Sequence, residues 1–344
     1  MKFITTLKQS TTGLLIMLVM SIASFQIADL QFMKQYQISS LTICILLGMI
    51  IGNVFPKYLP KSSEPGIKFS QQKLLRLGII FYGFFITFQQ IIAVGLPGLV
   101  TDVIIIATTF IGGTFIGMKV LGLDREIAML TATGSSICGA AAILAAEPVV
   151  KAKPHQTALA VSTVVIFGTT AMFVYPLIFH VFHIDPKVMG IYTGATIHEV
   201  AQVVAAGNAM NHDIAVTSVI VKLTRVMMLA PFLVALSIYL GKKVSSTGQA
   251  SEEKAKITIP WFAVMFVGVA GINSMNIIPA EYIPYLTKAS VFLLTMAMGA
   301  LGVDTNISKI RGVGIKPIIL AVILFAWLIV GGYGITTGVL SLFS

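Results

Sequence analysis

Long apolar stretches separated by short polar loops run along this whole sequence, and they limit what it can fold into. A helix needs about 20 predominantly apolar residues to cross the hydrocarbon core of a bilayer. Eleven such stretches occur in the 344 residues, at 11–29, 38–55, 72–94, 100–118, 127–147, 157–180, 187–208, 214–240, 259–278, 286–307 and 316–341. The sequence therefore predicts an all-α polytopic membrane protein with about eleven transmembrane helices in a single transmembrane domain, residues 1–344.

Few residues are charged, which agrees with a membrane location. Charged residues make up 10% of the chain, whereas soluble domains carry about 25%. The net charge of +10 would suggest nucleic-acid binding in a soluble protein. Here the cations lie mostly in loops between apolar spans, so we expect no nucleic-acid partner. Both cysteines, Cys44 and Cys138, fall within apolar spans, so the sequence implies no disulfide framework.

The distribution of lysine and arginine predicts the orientation of the chain in the membrane. With the N-terminus inside, the inner loops collect 17 of the 23 cations and the outer loops collect 4. The remaining two, Lys222 and Arg225, lie within the eighth span. Because cytoplasmic loops are enriched in Lys and Arg, we expect a cytoplasmic N-terminus. An odd number of spans then places the C-terminus on the periplasmic or extracellular side.

Two similar stretches, residues 134–148 and 194–207, combine glycine and small residues with polar groups at membrane depth. An offset of sixty residues aligns Gly134 with Gly194 and Ile137 with Ile197. Paired glycine-interrupted apolar segments are the best sequence indication of a transporter's binding site. The sequence therefore predicts two discontinuous helices with a site beside them.

The first stretch offers the side chains of Ser135, Ser136 and Cys138, followed by Gly139. A helix that is interrupted and restarted here exposes backbone N–H groups at a new N-terminus, which favours anions. The alternative is that small residues only allow close packing of helices.

The second stretch places His198 and Glu199 in an apolar segment, with Gln202 close to both on a helix and Thr196 just before them. An ionisable group at the bilayer centre costs about 2.5–3.5 kcal/mol and usually marks a transport pathway. Either ionisable group could couple transport to protons. The alternative is a polar cluster that locks helices together. A zinc site is disfavoured, because Gln202 stands where the His-Glu-x-x-His motif has its second histidine, and no motif indicates a cofactor.

Lys222 and Arg225 lie one turn apart on one face of the eighth span. Two such cations repel each other unless an anion or carboxylate lies nearby. Glu199 and an anionic substrate are the two candidate partners, and snorkelling to the membrane surface is the alternative role for Lys222. The predicted substrate-binding residues are Ser135, Ser136, Cys138, Gly139, Thr196, His198, Glu199, Gln202, Lys222 and Arg225.

An internal repeat is predicted between halves at about residues 38–180 and 187–341. An offset of 219 residues aligns Gly83 with Gly302 and places Gly112-Gly113 on Gly331-Gly332. The matched spans differ by an odd number of crossings, as in an inverted repeat. The two broken-helix stretches are two spans apart and so run parallel by this count, which leaves their symmetry relation open.

The stretches 134–139 and 194–203 resemble the signature segments of the YeiH-type family of bacterial inner-membrane proteins, conserved hypothetical proteins often labelled sulfate exporters. Ala195 stands where we expect a hydroxyl residue in that pattern. The family is related to the cation/proton antiporters such as NhaA and to the bile-acid symporters. The resemblance implies an inverted repeat with discontinuous crossing helices, in the bacterial inner membrane, and an oxyanion substrate such as sulfate or a small sulfonate.

The sequence therefore predicts a secondary transporter of a small anion that works by alternating access, with H⁺ or Na⁺ as a coupling ion. The sequence does not decide whether the protein forms a homodimer. A cation/proton antiporter is the first alternative; it needs a buried carboxylate, for which Glu199 is the one strong candidate deep in a span. An intramembrane enzyme is the least favoured alternative, because the sequence shows no paired-aspartate, serine–histidine or complete metal-ligand set.

Overall fold

A computed structural model describes residues 2–35, 39–245, 261–305 and 314–343, and these residues form helices and no strand. The helices are α1 (Lys2–Ala28), α2 (Gln31–Gln35), α3 (Ser40–Val54), α4 (Glu64–Phe69), α5 (Leu75–Tyr82), α6 (Phe88–Phe115), α7 (Arg125–Ser136), α8 (Ala140–Val150), α9 (Pro154–Phe182), α10 (Pro186–Thr196), α11 (Val200–Asn208), α12 (His212–Met227), α13 (Leu229–Ser245), α14 (Trp261–Ser274), α15 (Ile283–Asp304) and α16 (Ile315–Leu342). The all-α prediction is confirmed.

Several helices have the length and composition of membrane spans. Six segments in the described part of the chain qualify: Ser10–Ala28, Phe88–Val120, His155–Phe182, His212–Leu240, Ile283–Asp304 and Ile315–Leu342. Three shorter apolar helices are Ser40–Val54, Ala140–Val150 and Trp261–Ser274. Large apolar side chains are exposed along the long helices, for example Val103 and Val330, as expected for faces that contact lipid.

The helices differ from the predicted spans at one place and agree with them at the next. The predicted span 72–94 is interrupted, because α5 ends at Tyr82 and α6 begins only at Phe88. The predicted boundary between 94 and 100 coincides with a non-helical residue in α6, Gly95, whose φ is +38° and ψ is −137°, so α6 consists of two helical segments joined at a kink. Glycine adopts this backbone conformation without the steric penalty that a side chain would bring. The sequence also predicts a polar connection from Gly241 to Lys256, of which residues 246–256 lie outside the described part of the chain.

The chain divides into two compact units. Unit 1 comprises Met1–Ala93, Asn208–Asn211 and Trp261–Ile310, and unit 2 comprises Val94–Gly207, His212–Pro260 and Arg311–Ser344. Each unit therefore combines segments from distant parts of the sequence.

Unit 1 is held together by close packing of α3 against α15. A Cβ at Gly48 would collide with the Gly299 carbonyl, and a Cβ at Gly302 would collide with the Ile45 carbonyl. Small residues at such positions let membrane helices approach closely. The non-helical backbone between α5 and α6 is hydrogen bonded to α14, because Asn273 Nδ2 donates to the Phe84 carbonyl at 3.2 Å.

Unit 2 contains both predicted broken helices, α7–α8 and α10–α11. Helix α10 packs against α12 and α16, and α7 packs against α8, α9 and α16. A buried apolar cluster ties α6 to α10, α12 and α16; its members are Ile105, Ile191, Ala195, Val221 and Leu328. All the predicted site residues lie in unit 2.

Candidate functional site

The first break separates α7 from α8 at residues 137–139. Helix α7 ends at Ser136, and Gly139 precedes α8 with a φ of +69°, a conformation that L side chains rarely adopt. The Cys138 sulfur is hydrogen bonded to the backbone of Ala142, in the first turn of the restarted helix. The predicted interruption at this stretch is therefore present.

The second break separates α10 from α11 at residues 197–199. The Glu199 backbone N–H donates to Gln202 Oε1 at 3.0 Å. A glutamine at this position commonly caps a helix by accepting from the N–H of the N-cap residue. Gln202 therefore stabilises the restarted helix through its side-chain oxygen. Its amide nitrogen is buried and has no hydrogen-bond partner.

The two breaks meet at the ammonium group of Lys222, on α12. Lys222 Nζ donates to the Ile137 carbonyl at 2.5 Å and to the Ile197 carbonyl at 2.7 Å. The Lys222 side chain is fully buried. One cation therefore binds the non-helical backbone of both discontinuous helices.

Arg225 binds the end of α7. Its Nε donates to the Ser136 carbonyl at 2.7 Å, and its Nη2 donates to the Ser135 carbonyl at 2.9 Å. The last carbonyls of a helix lack intrahelical partners and carry partial negative charge, which a cation stabilises. These acceptors differ from the anion or Glu199 carboxylate that we suggested as partners. Arg225 Nη1 is buried, and no described residue accepts a hydrogen bond from it.

The hydroxyl groups predicted to face a substrate are mostly bonded to their own helices. Ser136 Oγ donates to the Thr133 carbonyl at 3.1 Å. Thr196 Oγ1 donates to the Tyr192 carbonyl at 2.5 Å. Ser135 is also buried. The hydroxyl groups of Ser136 and Thr196 are therefore occupied within their own helices, and the backbone atoms are the polar groups that these residues contribute at the breaks.

His198 and Glu199 lie in the second break. His198 is 2% exposed, and its Nδ1 forms no hydrogen bond within the described ranges of the chain. Glu199 is half-buried, and a Cβ on Gly139 would lie 2.6 Å from its Cγ and 3.2 Å from its Oε1. The Glu199 carboxylate thus lies beside the first residue of the α8 N-terminus, where the helix dipole favours negative charge.

Asp102, on α6, is a site residue that the sequence did not lead us to predict. It is fully buried, and neither carboxylate oxygen has a hydrogen-bond partner among the residues that the structure describes. It interacts electrostatically with Arg225 and Lys222. The available signal was that Asp102 is the sole ionisable residue between Val94 and Met118. Our expectation that Glu199 is the one strong carboxylate deep in a span is therefore wrong.

Three tyrosines form a second group that the sequence did not reveal. The rings of Tyr175 and Tyr192 stack with centroids 4.8 Å apart, and Tyr333 meets Tyr192 edge-on at 5.7 Å. Tyr192 Oη donates to the Ile329 carbonyl at 2.9 Å. Because Tyr192 is on α10, these contacts position that helix one turn before its break.

Comparison with known proteins supplies the family context. A family model described as conserved hypothetical protein 698 matches residues 12–321. A UPF0324 membrane protein of Bacteroides thetaiotaomicron is 47% identical over 323 residues, which cover 93% of this chain and 96% of that protein. The UPF0324 inner membrane protein YeiH of Escherichia coli K12 is 51% identical over 296 residues, covering 86% of this chain and 84% of that protein.

Among solved structures, the sodium proton antiporter MjNhaP1 from Methanocaldococcus jannaschii matches at 17% identity over 93% of this chain and 99% of that chain. The TM-score is 0.31, which is too low to support a conclusion about fold or activity.

Proposed function

The chain belongs to the conserved hypothetical protein 698 family of membrane proteins, and from this premise we propose that it is a secondary transporter. Its cargo is a small oxyanion of the sulfate or sulfonate type, carried across the bacterial inner membrane by alternating access. The proposal includes eleven crossings, an inverted repeat of residues 38–180 and 187–341, and a cytoplasmic N-terminus.

The observation that carries this proposal is the meeting of both helix breaks at Lys222 Nζ, 2.5 Å from one carbonyl and 2.7 Å from the other. Non-helical backbone at membrane depth is tolerated only where it is buried in protein or lines a water-filled cavity. In transporters, discontinuous helices of this kind form the substrate and ion sites.

The choice of an oxyanion rests on surplus hydrogen-bond donors. Arg225 Nη1 and Gln202 Nε2 are donors only, and both are buried without a partner. A buried donor without a partner costs about 1–3 kcal/mol. Sulfate and sulfonate oxygens are acceptors, and a charge-assisted bond to arginine is among the strongest available. We assign these donors, His198 and the restarted helix N-termini to the oxyanion, and we place Glu199 at the edge of the site.

We predict that the purified protein binds sulfate and that His198→Ala weakens this binding about tenfold, a loss of about 1.4 kcal/mol. The reason is that His198 places a ring nitrogen without a partner in the break. Titration calorimetry in detergent measures the affinity, and sulfate uptake by proteoliposomes measures transport. His155→Ala, which alters an exposed histidine at the start of α9, is the matched control. Absence of binding and uptake for a panel of oxyanions and sulfonates would reject the proposal.

A cation/proton antiporter is the second candidate, because Asp102 supplies the buried carboxylate that such a protein needs. The two candidates differ in the ligand that stabilises the protein. A thermal denaturation midpoint that rises with sodium and does not change with sulfate would favour the antiporter.

A further inference from the structure

We propose that Asp102 carries the coupling proton, and that binding of the oxyanion and protonation of Asp102 favour each other. This inference rests on the proposed function and names its coupling ion. It makes the protein a proton–anion symporter, in which both charges move in the same direction.

The first step is the burial of the carboxyl group. Asp102 lies in α6, seven residues after the kink at Gly95, and it is fully buried. The neighbouring hydroxyl of Thr101 is bonded to the Pro97 carbonyl at 2.8 Å. Within the described part of the chain, neither oxygen of Asp102 has a hydrogen-bond partner. An ionised carboxylate without a partner is strongly disfavoured in a low-dielectric environment, so the described arrangement is the one in which Asp102 carries a proton.

The second step identifies the charged groups that act on Asp102. Arg225 and Lys222, both on α12, interact with it electrostatically. Other described contacts with α6 come from Ile191 and Ala195 of α10, from Leu328 of α16 and from Phe232 of α13. Trp327 of α16 adds an uncharged donor, because its Nε1 donates to Thr109 Oγ1 at 3.2 Å. The titratable groups that interact with the same two cations are Cys138, Tyr175, His198 and Glu199.

The third step is the unused donor of Arg225. Two of its nitrogens bind the carbonyls of Ser135 and Ser136, whereas Nη1 has no partner. A salt bridge formed with Asp102 would satisfy this donor and an ionised carboxylate together. In that second state, the carboxyl O–H bond breaks, the proton passes to water, and the carboxylate accepts from Arg225 Nη1.

The fourth step is competition. Arg225 Nη1 is also a donor that we assign to the oxyanion. The Asp102 carboxylate and the oxyanion are both negative and require the same cations, so occupation by one disfavours the charge on the other. Binding of the anion therefore favours the protonated form of Asp102, and by linkage the protonated form binds the anion more tightly. The affinity for the anion consequently rises as the pH falls.

The first arm of the test uses no anion substrate. Infrared difference spectra of wild type and Asp102→Asn, titrated in sodium-free buffer, should show a protonated-carboxyl band that is present in wild type and lost in the variant. Asp213→Asn removes an exposed aspartate in the first turn of α12 and is the matched control, which should keep the band. Absence of a difference at every pH at which both proteins stay folded overturns the inference.

The second arm adds sulfate as the probe. Wild type and Asp213→Asn should take up a proton with each bound sulfate, measured with a pH-indicator dye in weak buffer. Asp102→Asn should bind sulfate without proton uptake and with an affinity that does not change with pH. Sulfate binding by wild type without proton uptake, or uptake that persists in Asp102→Asn, overturns the inference. Failure of wild type to bind any oxyanion rejects the proposed transport function, while the first arm still decides whether Asp102 takes a proton.

Discussion

Lys222 and Arg225 were predicted from the sequence as site residues, but their hydrogen-bond partners were not. Both are fully buried, and both donate to backbone carbonyls at the helix breaks. A buried cation is stable only with excellent geometry and satisfied donors. The single nitrogen of Lys222 is bonded to two carbonyls, whereas the Nη1 nitrogen of Arg225 has no hydrogen-bond partner among the described residues. Arg225 therefore has a whole nitrogen available to a ligand, and Lys222 contributes mainly its charge.

At the residue scale, we predict that Gly139→Ala lowers the thermal denaturation midpoint of the purified protein. The positive φ of Gly139 penalises a side chain by about 1–3 kcal/mol, and the added Cβ would lie 2.6 Å from Glu199 Cγ. The midpoint can be measured in detergent by intrinsic fluorescence. Gly334→Ala is the control, because a Cβ there meets nothing within 4 Å. Equal stability of the two variants would contradict the described geometry of the first break.

At the scale of secondary structure elements, discontinuities matter more than helix length. The breaks at 137–139 and 197–199 divide two predicted spans into helices of 12 and 11 residues and of 11 and 9 residues. Each of these breaks was predicted from glycine and polar residues. The interruption between α5 and α6 was not predicted, because its stabilising partner Asn273 lies 189 residues away from Phe84.

The kink in α6 gives a prediction at this scale. Gly95→Ala should destabilise the protein by about 1–3 kcal/mol, because φ of +38° and ψ of −137° suit only glycine. Gly112→Ala lies on the same helix, and neither position has an atom within 4 Å of the added Cβ. A difference between the two variants therefore reflects the backbone conformation at the two positions and not a steric contact of the added Cβ. A Gly95→Ala variant that denatures at the same temperature as Gly112→Ala would show that α6 is not kinked at this residue.

At the scale of the whole molecule, the distribution of cations is the property to test. Seventeen of 23 lysines and arginines fall on one side of the predicted topology. Membrane topology follows this bias because positively charged loops are retained in the cytoplasm. The prediction covers loops on both sides, so it can be tested at several positions.

We predict that alkaline phosphatase fused after Ser344 is active and that the same enzyme inserted after Gln249 is inactive, because the enzyme matures only outside the cytoplasm. Insertion after Lys151, in a predicted outer loop, is the positive control. Activity in cells of each fusion, normalised to its expression, is the measurement. The reverse pattern would place the N-terminus outside with the span count unchanged, or would change the number of spans before Gln249 by an odd number.

The sequence by itself determined the membrane location, the helical class and the two helix breaks of unit 2. These follow from local properties, since apolar length decides whether a segment enters lipid and glycine with polar groups decides where a helix is interrupted. Asp102 was missed because it stands near the start of the predicted span 100–118, where a charged residue is expected to reach the membrane surface, whereas the packing of the helices buries it completely. Only the tertiary structure decided which groups meet. Lys222 finds carbonyls 85 and 25 residues away, because electrostatic partners depend on which helices pack together.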